Sequence, residues 1–379
     1  MLIDQFKLML KKPAYNSSYR SFLQYIHIDG PMLSFLFILS IIGLFILYSA
    51  SNKNWHTIES RFMHLGISFV IMLCFAQIPP ISLQRSALWV YLTGFILLLT
   101  VAFIGHIGKG GQRWLNFGFM HFQPSELMKL AIPLILAWYY HKTHLPLNFR
   151  SAFIAIPLIF VPAIITAKQP DLSTAALLMI SGLSILFLAG ISLRFLMACF
   201  AFLICCLPFA WYALHEYQRQ RILTFFDPEQ DPLGKGYHII QSKIAVGSGG
   251  LFGKGWLNGT QSNLHFLPEH STDFIFAVVG EEFGFIGNIL LISLYMFIVI
   301  RGLSITLNAQ DTFSRLLAGS ITFTFFTSFF INMGMVTGIV PVMGIPLPLI
   351  SYGGSSMVTM MASFGILMSI QTHRKLVTT

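Results

Sequence analysis

Residues 31–50 read PMLSFLFILSIIGLFILYSA. None of them carries a charge, and about 20 apolar helical residues cross the roughly 30 Å hydrocarbon core of a bilayer. The run is too long for the apolar centre of a secretory signal and follows a polar arm over 1–30, so it reads as an uncleaved first span. The remainder of the chain has the same character. Of 379 residues, 55% are hydrophobic and 10% are charged, and the mean hydropathy is +0.73. Soluble domains carry about a quarter charged residues, so this chain could not cover a water-facing surface. The two soluble domains that length alone suggests are excluded, and a disordered chain or a soluble nucleic-acid binder is disfavoured. The sequence describes an all-α polytopic integral membrane protein.

Apolar runs place ten spans, at 31–50, 62–79, 86–105, 124–140, 151–168, 172–191, 193–214, 273–300, 316–338 and 350–371. They form a single membrane domain over 1–379, and an even number leaves both termini on one side. With the termini cytoplasmic, twelve Lys and Arg fall on that side; Lys53, Arg61, Lys109, Arg113 and Lys168 fall in short outer loops. This is the expected bias. The net charge of +9 then reflects cytoplasmic loops and anionic headgroups rather than nucleic acid. Cys74, Cys199, Cys205 and Cys206 lie inside apolar runs and read as small buried hydrophobes, with neither metal-site spacing nor a disulfide framework.

Two stretches break the pattern. The segment 215–272, between spans seven and eight, mixes charges with Gly247-Ser248-Gly249-Gly250 and Gly253-Lys254-Gly255-Trp256 around an amphipathic piece, Tyr237–Val246. A long connection of this composition is usually functional. The segment 338–356 carries Pro341, Pro346, Pro348, Gly353 and Gly354, which break helices. Irregular backbone at membrane depth must be buried in protein or line a wet cavity. The expectation is a re-entrant or surface-hugging outer loop packed on 215–272.

Charges inside spans are costly and point to function. Asp273 follows Ser271 and Thr272, good N-cap residues, and is expected in the first turn of span eight at the outer interface. There the helix dipole favours its ionised form, and a partly dry cleft would raise its pKa toward that of a useful general base. The plainer alternative is a capping aspartate. Glu281 and Glu282 lie roughly 12–14 Å deeper, turned by about 80° and 180° from Asp273. Neither pairs with it as two glycosidase carboxylates do, and they read as hydrogen-bonded glue. Glu126 and Lys129 share a helix face after Pro124. They form an internal ion pair or, more sharply, the floor of an outer polar cavity. Asp171, after Pro170, reads as the cap of span six. The loop Gly108-Lys109-Gly110-Gly111-Gln112-Arg113-Trp114 offers Arg113 as a phosphate clamp. Lys243, just ahead of a glycine-rich turn, is a second candidate contact for a lipid-linked phosphate. Phosphate-loop, zinc-protease and nucleophile-elbow signatures are missing from the sequence.

Several motifs together resemble the SEDS family (shape, elongation, division and sporulation). They are Gly111-Gln112-Arg113-Trp114, Gln123-Pro124-Ser125-Glu126-Leu127-Met128-Lys129, Lys168-Gln169-Pro170-Asp171-Leu172-Ser173-Thr174-Ala175, Gly338-Ile339-Val340-Pro341 and Leu349-Ile350-Ser351-Tyr352-Gly353-Gly354-Ser355-Ser356. The stretches Asp231–His238, Gln241–Leu251, Gly253–Trp256 and Phe266–Phe274 look more like the elongation branch than the division branch.

The resemblance implies a ten-span peptidoglycan glycosyltransferase that polymerises lipid II on the periplasmic face of the bacterial inner membrane. It implies a class B penicillin-binding protein as crosslinking partner within the elongation machinery. The family's essential aspartate falls on Asp273. In that chemistry a GlcNAc 4-hydroxyl attacks the anomeric carbon of a MurNAc and expels polyprenyl pyrophosphate with inversion. One base and nearby cations suffice, because pyrophosphate leaves without protonation. No metal ligands are assigned, although a divalent cation (Mg or Mn) is a possible assistant. Two alternatives stand beside this reading: a lipid-linked precursor flippase, with key charges near the midplane and often internal repeats, and a non-catalytic scaffold for the crosslinking enzyme.

Overall fold

The computed structural model describes residues 26–108, 111–116, 121–143, 149–191, 216–227, 235–263 and 271–373, with isolated positions between 192 and 215. The first helix, α1 (Gly30–Ala50), starts where Asp29 accepts a hydrogen bond from the Met32 amide at 3.2 Å, with Pro31 in its first turn. That is a side-chain cap followed by a residue whose missing N–H costs nothing there. Helices α2 (Trp55–Gln77) and α3 (Pro80–Ile104) follow, and then three short strands, β1 (His106–Gly108), β2 (Gly111–Asn116) and β3 (His121–Phe122). They form an antiparallel sheet in the order β1-β2-β3. The bundle continues with α4 (Pro124–Tyr140), α5 (Phe149–Lys168) and α6 (Leu172–Leu188).

Two helices, α7 (Glu216–Phe226) and α8 (Lys235–Ser248), precede the short α9 (Thr260–Asn263). The last three are α10 (Ile275–Leu307), α11 (Thr312–Thr337) and α12 (Gly354–Thr372). Nine of the described helices thus fall on nine of the ten expected spans; the span at 193–214 is described only at isolated positions. Among the described residues, α1, α2, α3, α10 and α11 are long and apolar enough to cross a membrane, and α5 and α6 are shorter apolar helices.

The sheet was not expected from the sequence. Strands this short give no period-two signal, so residues 106–122 read as a plain loop. The ends of spans also moved. Prolines at the first turn set the starts of α3 and α4, and Asn54 caps α2 by accepting from the His56 amide at 3.1 Å. Arg61, assigned to an outer loop, therefore lies inside α2 and is only 1% exposed.

Helix α4 is the hub. Almost all its residues are buried, and it packs against α3, α6 and α11. Helices α2 and α12 pair closely, as do α10 and α11. Outward faces stay apolar: Phe285, Leu290, Phe297 and Ile300 of α10 are exposed, as suits a helix set in lipid.

Helix α10 is broken at Gly284, whose φ is 67°. The groups freed there exchange hydrogen bonds with the segment after α8. Phe285 N donates to Gly250 O and Ile286 N to Leu251 O, while Glu281 O and Glu282 O accept from the amides of Lys254 and Gly255, all at 2.9–3.1 Å. Backbone freed by a kink in lipid needs such partners. The approach is close enough to demand glycine: a Cβ at Gly249 would lie 1.9 Å from Gly280 O, and one at Gly253 would lie 2.1 Å from Glu282 O. Residues 285–307 alone are long enough to span. The part of α10 before the kink, with residues 249–261, builds one loop-rich end of the bundle.

Candidate active site

The stretch 339–353 is irregular and runs into the interior, with Leu347, Leu349 and Ile350 buried. Tyr295 Oη donates to Pro348 O at 2.6 Å and Arg61 Nη2 to Leu349 O at 2.6 Å. Both donors come from transmembrane helices, so the polar backbone of this stretch is satisfied from within the protein. In return, the stretch holds the start of α10. Tyr352 N donates to Ser271 O at 3.0 Å, and Ser351 Oγ, itself accepting from Leu347 N at 2.8 Å, donates to Thr272 O.

Asp273 sits in that held turn, partly exposed. It is not in the first turn of α10 as expected. The helix begins at Ile275 with Phe274 as N-cap and without a side-chain cap. The carbonyls of Ser271 and Thr272 are taken by the 339–353 stretch, and this contact, rather than a capping hydroxyl, fixes where the helix starts. Asn332 of α11, fully buried, donates through Nδ2 to Asp273 O at 2.9 Å and to Ile345 O at 2.7 Å. The carboxylate lies over Gly344: a Cβ there would stand 3.3 Å from Asp273 Oδ2.

Glu126 and Lys129 form the expected ion pair, with Lys129 Nζ 2.7 Å from Glu126 Oε1, and Thr359 Oγ1 donates to Glu126 Oε2 at 3.3 Å. Two cavities of about 30 Å³ each flank the pair. One is lined by Ser328, Ile345–Leu349, Ser351, Gly353 and Ser356, so the stretch that holds Asp273 also roofs the cavity floored by Glu126 and Lys129. Each has room for about one water.

Arg113 and Asp171 meet elsewhere. Asp171 caps α6, accepting from Thr174 N at 3.1 Å and Thr174 Oγ1 at 2.9 Å, and also from Gln123 Nε2 at 2.8 Å. Arg113 of β2 donates to the Gln169 and Pro170 carbonyls and places Nη1 3.9 Å from Asp171 Oδ2. Much of its fork is thereby spent on latching the sheet to the α5–α6 turn. Lys243 is exposed on α8 and lies against Gly338, the C-cap of α11, where a Cβ would stand 2.6 Å from Nζ. An ammonium there meets the negative end of a helix dipole. Next to it, Ser242 Oγ donates to Val336 O at 3.0 Å.

Glu281 and Glu282 are glue, as the sequence suggested. Fully buried, Glu281 accepts from Lys254 Nζ at 2.7 Å and from the amides of Thr260 and Gln261. Glu282 accepts from Ser49 Oγ of α1 and from the amides of Leu257 and Gly259. The glycine-rich run that was expected to approach phosphate instead approaches α10. Sequence reasoning missed Asn332, Ser351, Arg61 and Tyr295. A polar Asn inside the apolar run 329–336 was a visible signal; Ser351 lay in one of the family motifs without a role of its own, and Tyr295 gave no signal.

A family model described as a cell cycle protein, named for FtsW, RodA and SpoVE, matches residues 29–376. The chain belongs to the FtsW/RodA/SpoVE family. It is 47% identical to the peptidoglycan glycosyltransferase MrdB of Escherichia coli K12, over 95% of this chain and 98% of that one. It is 33% identical to the stage V sporulation protein E of Bacillus subtilis, over 88% and 94% of the two chains. Among solved structures, a chain of a peptidoglycan synthase complex studied for coordinated polymerization and crosslinking superposes with a TM-score of 0.79 at 29% identity, covering 90% of this chain and 97% of its own. The Thermus thermophilus rod shape determining protein RodA shares the family fold with a TM-score of 0.69 at 23% identity, over 92% and 98%. The family fold therefore extends over nearly the whole chain, including Asp273 and the stretch that holds it.

Proposed function

We propose that this peptidoglycan glycosyltransferase polymerises lipid II for cell elongation with Asp273 as its general base, beside a class B penicillin-binding protein that crosslinks the product. The protein is embedded in the membrane, and the inner membrane of a bacterium fits its family. In this reading both termini are cytoplasmic, the loop-rich end faces the periplasm and 339–353 is re-entrant. The observation that carries the proposal is the setting of Asp273: a partly exposed carboxylate at the loop-rich end whose backbone is gripped by α11 and by 339–353.

A base must be both open to substrate and rigid. The carboxylate would take the proton of the attacking 4-hydroxyl as the new glycosidic bond forms at the anomeric carbon of the donor. The pyrophosphate then leaves with the bonding electrons and needs positive charge nearby. Lys243, exposed on α8, is offered for that role. Arg113, largely committed to carbonyls, contributes its field more than a bidentate fork, with Asp171 holding it in place. The Glu126–Lys129 pair supports the polar cavity beneath. Among the described residues no three His, Cys, Asp or Glu side chains gather to hold a metal ion.

The test is gel analysis of lipid II polymerisation by the purified protein with its partner. Asp273→Asn keeps the shape and cannot accept the proton; it should make no polymer while folding and binding the partner normally. Near-normal glycan synthesis by that variant would refute the base assignment and favour a scaffold.

A further inference from the structure

We infer that Asn332 is a positioning residue for Asp273, an inference that rests on the base role proposed above. The first turn of α10 has no side-chain cap to fix where the helix starts. Besides the grips of Ser351 and Tyr352 on residues 272 and 271, an amide group of the neighbouring span α11 fixes the backbone of Asp273 itself. Asn332 Nδ2 bridges Asp273 O at 2.9 Å and Ile345 O at 2.7 Å, so both amide hydrogens are used to tie the base to the stretch beneath it. Ile345 directly follows Gly344, the residue over which the carboxylate lies. The bridge therefore sets the distance between the carboxylate and its own floor.

Asn332 is 0% exposed, and its Oδ1 finds no hydrogen-bond partner among the described residues. A buried acceptor left unsatisfied is a net cost to the fold. An apolar side chain of similar volume would avoid that cost but would leave the Asp273 and Ile345 carbonyls without their donor, so the stranded oxygen alone does not explain the asparagine. Its two donors do account for it: they link α11 to both the 339–353 stretch and Asp273. Ser351, which donates to Thr272 O, braces the same turn from the other side.

A misplacement of about 1 Å at a catalytic group costs up to 100-fold in rate, whereas the pocket that binds lipid II would be little changed. Initial rates against lipid II concentration, with the purified protein and its partner, separate these effects. Asn332→Leu fills the volume and removes both donors. It should still fold, with a melting temperature lowered by the two carbonyls that lose their donor, and lose roughly 10–100-fold in kcat, with KM within about threefold. Combined with Asp273→Asn it should lose nothing further, because the base it positions is already gone. Ser351→Ala should give the same kcat-only signature in weaker form, and it carries the comparison where Asn332→Leu does not accumulate. Wild-type kcat in Asn332→Leu, or in Ser351→Ala where that variant carries the comparison, overturns the inference, as does a loss confined to KM. If Asp273→Asn itself polymerises lipid II, the base reading has failed. If Asp273→Asn is inactive while Asn332→Leu is normal, only the positioning inference has failed.

Discussion

Replacing Glu281 with leucine tests whether the loop-rich end is built as described. The carboxylate is fully buried and accepts from Lys254 Nζ at 2.7 Å, Thr260 N at 2.8 Å, Thr260 Oγ1 at 2.8 Å and Gln261 N at 3.0 Å. Thr260 is exposed, so water recovers most of what its groups lose. The Lys254 side chain is 29% exposed, and it keeps a 2.8 Å contact to Thr260 Oγ1. Losing a charged hydrogen bond there costs about 1.5–3 kcal/mol, and leaving the half-buried Gln261 amide unsatisfied adds about 1 kcal/mol. The total of about 2.5–4 kcal/mol overlaps the range of about 3–5 kcal/mol for breaking a buried ion pair. Lys254→Met alone leaves the carboxylate with its backbone donors and should cost about 2 kcal/mol. The double variant has no stranded charge, so it should be more stable than the sum of the singles by about 2 kcal/mol. Melting of the detergent-purified proteins, followed by intrinsic fluorescence, gives the ordering. A Glu281→Leu protein that melts with the wild type, or simple additivity of the two changes, would refute the picture of Glu281 as the clasp.

Three further outcomes are expected. Glu126→Leu or Lys129→Met alone should depress stability more than the two together, because a lone buried charge is the costly state; additivity in a double-mutant cycle removes the pairing. Gly253→Ala should destabilise well beyond Gly250→Ala. Both positions have positive φ, but a Cβ meets backbone at 2.1 Å only at 253 and finds open space at 250; equal melting temperatures would contradict the close exchange with α10. His373 ends α12, and its ring stacks on His27 at 3.7 Å. Burial and the nearby His27 lower its pKa from 6.5 against the raising effect of the Ser369 carbonyl. The unfolded chain then binds a proton that the folded one refuses, so stability is full above about pH 6.5 and declines as pH falls below it. His373→Gln should flatten that part of the pH dependence of melting, and an unchanged slope would show that His373 does not contribute.

The spans were legible because lipid imposes a strict rule. A run such as 31–50 must be helical to satisfy its backbone without water, and composition alone reveals it. The same rule explains the errors. Arg61 was placed in a loop because a cation is costly within a span; in fact its guanidinium is the donor that makes the buried backbone at Leu349 tolerable. The strands of residues 106–122 were missed because pairing of two- to six-residue pieces leaves no periodic trace. The kink in α10 was missed because Gly284 sits in an apolar run that reads as continuous helix, and its hydrogen-bond partners lie some 30 residues earlier in the chain.

The candidate site was legible only in its side-chain chemistry. Asp273, the Glu126–Lys129 pair and the capping Asp171 were found because carboxylates near or within spans stand out against apolar sequence. Their supports did not stand out, because the contacts that hold Asp273 end on carbonyl oxygens of residues 271, 272, 273 and 345. Every residue has a carbonyl, so no pattern of residue types marks one that will be used. The glycines of 247–255 show the same limit from the other direction. Their spacing announces a close approach to something, and phosphate was the natural guess beside Lys243. The approach is to the carbonyls of Gly280 and Glu282, and this distinction rests on the three-dimensional path of α10. A phosphate site on this chain is therefore better sought among exposed cations such as Lys243 than at Gly249 or Gly253, whose faces α10 already covers.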